Sequence, residues 1–99
     1  MIELMEDFEQ QVRGIAMKFP DEVLDIGYST GYDWSGDPAV FFRVLLTDRA
    51  SQRSVLADVT ERVREELFDS LKFERSDYIP YFYFRNKSEQ ARLKDPEWA

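Results

Sequence analysis

The sequence predicts an α+β domain in which a three-stranded sheet carries two long helices on one face, in the order α-β-β-α-β. Three observations predict it. Apolar residues recur at three- and four-residue steps over 2–18 and over 51–71, the spacing of a one-sided helix. Apolar and polar residues alternate over 22–29, and the apolar, aromatic-rich runs 39–47 and 78–85 have the length and composition of strands. Gly, Ser, Asp and Pro concentrate at 29–38, between the first two strands. A chain of 99 residues makes one domain, 1–99, and buries roughly two-thirds of its unfolded surface.

The first helix sets Ile2, Met5, Phe8, Val12, Ile15 and Phe19 on one side, and Pro20 ends it by disfavouring helical geometry at Phe19. In the first strand Leu24, Ile26 and Tyr28 alternate with Asp25 and Gly27. The run AVFFRVLLT (39–47) is the strongest strand signal. Val40, Phe42, Val44 and Leu46 make one face, Phe41 and Leu45 the other, as in a central strand. The second helix places Val55, Leu56, Val59, Val63, Leu67 and Leu71 on one side, with Asp48 or Ser51 as its cap. In the last strand, YIPYFYFR, Pro80 lacks an amide donor, which assigns that strand to an edge or Pro80 to its start. The tail 86–99 holds a capped turn near Ser88 and ends by Trp98. The strands between the helices form a hairpin, and the second helix crosses over to the third strand. Phe41, Leu45 and alternate aromatics of 81–84 are left on the far face. Such a patch needs cover, either from the tail through Trp98 or from a second copy in a homodimer.

Charge is distributed unevenly. Of the formal −7, all comes from residues 1–40, where nine acids face only Arg13 and Lys18; residues 41–99 hold eleven acids and eleven bases. An acidic end favours cationic partners and makes nucleic acid an unfavourable one. The absence of cysteine removes disulfides and thiolate chemistry and fits a reducing, cytoplasmic location. The absence of histidine removes the commonest general base and metal ligand. No apolar run approaches the ~18 residues of a membrane helix, and the first ten residues are acidic where a secretory leader would be basic. No phosphate loop, dinucleotide fingerprint, nucleophile elbow or zinc-protease motif occurs. The expectation is a protein that is not an enzyme and that needs no cofactor and no metal.

Two segments are candidate partner-binding sites. The loop containing Tyr32, Asp33, Trp34 and Asp37 sets two aromatics beside two carboxylates, and loop tryptophans are frequent binding hot spots. The plainer account is a hairpin connection, with Asp and Gly serving the turn and Tyr32 and Trp34 folded onto the sheet edge. The acidic face of the first helix, with Glu3, Glu6 and Asp7, is the other segment. Asp33 and Asp37 alone do not make a calcium loop, since the D-x-[DN]-x-[DN]-G pattern is absent. Arg43, mid-strand, calls for a carboxylate, and Asp25 on the neighbouring strand is the natural partner.

The functional expectation is a small acidic interaction module binding a basic partner surface, with an antitoxin-, immunity- or adaptor-like role. The alternatives are a nucleic-acid mimic and an RNA-binding domain that uses the aromatic face of the last strand. The α-β-β-α-β order is similar to that of type II KH domains, which clamp RNA with a G-x-x-G loop between helices. Gly36 is the last glycine of the chain, so that clamp has no counterpart here and the likeness is one of topology.

Overall fold

The computed structural model describes residues 7–94 and residue 98. Helix α1 spans Phe8–Met17, strands β1 and β2 span Val23–Tyr32 and Pro38–Leu46, and helix α2 spans Leu56–Ser70. A 3₁₀ turn at Phe73–Arg75 leads into strand β3, Ile79–Asn86, and a short helix α3, Lys87–Leu93, follows it directly. The sheet is open and mixed, in the order β1-β2-β3. β1 pairs antiparallel with β2 as a hairpin, and α2 carries the chain over to β3, which pairs parallel with β2.

β2 is central because it is apolar on both faces. Its Val40, Phe42, Val44 and Leu46 are fully buried with Phe8, Val12 and Ile15 of α1 and Val59, Val63 and Leu67 of α2 in one core. Both long helices therefore cover the same face. Phe42 sits at the centre at 0% exposure. Its ring stacks on Phe82 at 5.5 Å and meets Phe73 edge-on at 5.8 Å and Phe8 at 6.2 Å, offset and edge geometries that add to plain burial. The polar side of α2 ties back to the corner between α1 and β1. Arg62 bonds Glu22 at 3.1 Å and Asp58 at 2.9 Å, and Lys18 pairs with Glu66. These pairs are solvent-exposed and contribute about 0–1 kcal/mol each.

The structure corrects several expectations. Leu24 does not share a face with Ile26: the register shifts between Val23 and Asp25, so Val23 and Ile26 turn inward and Leu24 is left 49% exposed. One extra residue at such a bulge breaks the period of two on which the alternation rested. β1 also runs on through Tyr32, with Ser29 to Tyr32 paired to Phe41 to Pro38, so the connecting loop is only 33–37. Helix α2 starts at Leu56 rather than near 51, and neither Asp48 nor Ser51 caps it. The Ser51 hydroxyl instead donates to the Thr47 carbonyl at 3.1 Å. The segment before α2 is closed by short turns that seat Ala50 in the core. The Asp48 carboxylate accepts from the Ser88 N–H at 3.0 Å and hydroxyl at 2.6 Å, which lowers its pKa and pins the first turn of α3. That turn is also closed by a capping box between Asn86 and Glu89. Ile2 and Met5 lie outside the described residues.

Candidate functional site

The hairpin tip is built on Asp33. Its Oδ1 accepts the Ser35 N–H at 3.0 Å, the Ser35 hydroxyl at 2.8 Å and the Asp37 N–H at 2.9 Å. Its Oδ2 accepts the Tyr81 hydroxyl from β3 at 2.8 Å. The Gly36 N–H closes the turn on the Asp33 carbonyl at 3.0 Å, and Gly36 takes φ +88°, where a side chain is strained. Because the charged form receives all these bonds, the Asp37 amide foremost and then the Ser35 hydroxyl, the Asp33 carboxyl is held at about 2. The same bond to Asp33 raises the Tyr81 hydroxyl above its ordinary value.

Asp33 and Gly36 thus serve turn geometry, as the plainer account of this loop requires. The second half of that account is overturned. Trp34 does not fold onto the sheet; it stands 94% exposed, and Tyr32 is 64% exposed. Trp34 stands between Asp33 and Ser35 in the turn that these hydrogen bonds close. The result is a large aromatic presented on an ordered turn, with the exposed Asp37 beside it.

The other candidate acids are distributed. Glu3 and Glu6 lie outside the described residues. Asp7 is exposed just before α1, and Glu9 pairs with Arg13 at 3.1 Å. Asp21 and Glu22 sit at the α1–β1 corner, Asp25 near the start of β1, and Asp33 and Asp37 at its far end. These last five acids are therefore spread from one end of β1 to the other.

The sheet face away from the helices carries Phe41, Arg43 and Leu45 of β2 beside Tyr81, Tyr83 and Arg85 of β3. Phe41 and Tyr81 stack at 5.4 Å. Arg43 does not pair with Asp25. The regular register of the hairpin sets Asp25 opposite Leu45 and Gly27 opposite Arg43. The guanidinium lies over Gly27, where an added Cβ would meet Nη2 at 3.6 Å, and Nη1 donates to the Ser29 hydroxyl at 3.0 Å. Among the described residues no carboxylate comes within ion-pair distance of Arg43. Arg85 donates to Gln90 at 2.9 Å, and its guanidinium lies 4.6 Å from the Trp98 ring. Ser29, Phe41, Arg43, Tyr83, Arg85 and Trp98 border an open trough of about 690 Å³. Period-two spacing already separated Arg43 from Phe42 and Tyr83 from Phe84. The central place of 39–47 and the last strand beside it put these residues on one far face, but which aromatics of 81–84 join it was left open by the sequence.

Among the described residues no group of three or more His, Cys, Asp or Glu side chains is placed to hold a metal ion, and no helix is long and apolar enough to cross a membrane. Compared with known families, with curated proteins and with solved structures, the chain shows no match.

Proposed function

We propose that this chain is a cytoplasmic protein-interaction module that engages a basic partner surface through the β1–β2 hairpin tip, in an antitoxin-, immunity- or adaptor-like role. The observation that carries the reading is the 94% exposure of Trp34 on a turn held by four hydrogen bonds to Asp33. An aromatic with two side-chain torsions on a backbone that is already ordered gives up little freedom on docking, so more of its burial appears as affinity. Asp37 beside it and the acids along β1 steer a cationic surface toward the tip. In this reading Tyr32 and Trp34 touch the partner, while Asp33 shapes the loop. Asp7 and the neighbouring Glu3 and Glu6 add to the long-range field.

Capture from native lysate by the tagged chain, with nuclease present, tests it against two variants. Trp34→Ala removes the tip; Met17→Ala removes another exposed apolar side chain, at the end of α1. The expected result is a protein that is released by salt, lost with Trp34→Ala and kept with Met17→Ala. For a hot-spot tryptophan the loss is ~30-fold or more in Kd. Equal capture by all three chains refutes the reading.

The open sheet face favours a second reading. Phe41, Tyr81 and Tyr83 beside Arg43 and Arg85 are the side-chain types that stack bases and meet phosphates. The formal −7 opposes it. Fluorescence anisotropy of a single-stranded RNA decides: binding that falls steeply with salt supports it, and no signal at low salt ends it.

A further inference from the structure

β1 is an edge strand of ten residues, and it carries neither Pro nor Lys. Natural edges are usually blunted by such residues, by bulges or by a covering element. Here the bulge protects only the start. From Ile26 to Tyr32 the register with β2 is regular, so an unbroken run of backbone faces outward. The opposite edge, β3, is broken by Pro80.

The charges around this run distinguish between occupants. If residues 26–32 of two copies paired antiparallel in full overlap about Ser29, Asp25 of one copy would stand opposite Asp33 of the other at both ends. Asp21 and Asp37 would follow beyond them. Like charges directly opposite across strands are destabilising, and opposite charges stabilise. The edge is therefore set against a second copy and suited to a strand with cationic ends. On the open face β1 contributes only Gly27, Ser29 and Gly31 between those acids. Arg43 and Phe41 of β2 reach over Gly27 and Gly31, where an added Cβ would meet each at 3.6 Å, so bulky residues on an added strand would pack against those two side chains across the glycines. A side chain beside Gly27 would also meet the Arg43 guanidinium, a favourable seat for an aromatic ring. A trough of about 650 Å³ lies against the same edge, bordered by Glu9 and Arg13 of α1 and by residues 25–28.

We infer that β1 accepts an extended segment of a partner protein as an added antiparallel strand, recognised by basic residues spaced as Asp25 and Asp33 are and by bulky residues opposite Gly27 and Gly31 that pack against Arg43 and Phe41. This rests on the reading of the chain as a module for a basic partner, and it names how that partner binds.

A synthetic probe tests it: the peptide Lys-Thr-Tyr-Thr-Val-Thr-Tyr-Thr-Lys, beside a version with Glu at both ends. The readouts are amide shifts and hydrogen exchange of residues 26–32 in the full chain. The Lys-ended peptide should give saturable shifts and slowed exchange there, with the Glu-ended peptide at least about tenfold weaker. Asp25→Lys should narrow or reverse that preference. Three results overturn the inference: no saturable shift up to ~1 mM peptide, equal binding of both peptides, or protection of residues 26–32 by self-association. The hairpin-tip reading is scored separately, by capture with Trp34→Ala, so either can fail alone.

Discussion

Phe42 and Phe41 are neighbours on the central strand, and truncating each to alanine asks whether the sheet has one covered face or two. Phe42 is fully buried and its ring meets Phe8, Tyr28, Phe73 and Phe82. Phe42→Ala removes that burial and leaves a cavity that four large rings cannot readily close. The expected loss is about 3–5 kcal/mol, a large part of the ~5–15 kcal/mol that holds a domain together. Phe41 is half-buried on the open face, with Tyr81 as its ring partner at 5.4 Å and contact with Gly31 on β1. Roughly half the burial of a phenylalanine, itself about 1.5–3 kcal/mol, and one ring pair put Phe41→Ala near 1–2 kcal/mol. Urea titration followed by far-ultraviolet circular dichroism measures both, and the midpoints convert to stability if the slopes agree. Trp34 fluorescence would be a poor probe of this core, since that ring is already in solvent. If Phe41→Ala proved as costly as Phe42→Ala, with a midpoint that rose with protein concentration, a second copy would cover the open face. The one-sided core argued above would then be wrong.

Two further outcomes follow from the bulge and from Asp33. The bulge leaves Leu24 exposed and Ile26 buried, so Leu24→Thr should change stability by less than about 0.5 kcal/mol, whereas Ile26→Ala should cost about 2–5 kcal/mol; similar costs at the two positions would return Leu24 to the core and remove the bulge. The Asp33 carboxyl titrates lower in the folded hairpin, at about 2, than its ordinary 3.8. Its contribution is therefore fully present above pH ~4 and is lost as pH falls from there through about 2. The Ser35 and Asp37 amide resonances should report that titration, and in Asp33→Asn the window should vanish; a midpoint near 4 would show that the hydrogen bonds do not favour the charged form.

The amphipathic periods, the alternating strands and the Gly/Asp-rich connection were legible in the chain because each rests on residues a few positions apart. From them came the α+β class, both helices on one face, β2 at the centre and Pro80 on an edge strand. Single-residue offsets were not legible. The bulge between Val23 and Asp25 turned Leu24 outward, because a shift of one position exchanges the faces of a strand, and the register of the hairpin placed Gly27 rather than Asp25 opposite Arg43, which bonds Ser29. Asp48, which by type and position could cap α2 as Ser51 could, instead holds Ser88, forty residues on. The candidate site divides in the same way. That 32–37 is a turn with aromatics could be read from its residues, but not that Tyr81 reaches Asp33 from another strand or that Trp34 stands in solvent. Sequence alone determined the elements, the faces they bury and where the net charge lies, since propensity and periodicity are local. Only the tertiary structure decided which edge is open, which acids follow it and which aromatic stands in solvent, since those depend on contacts between segments far apart in the chain.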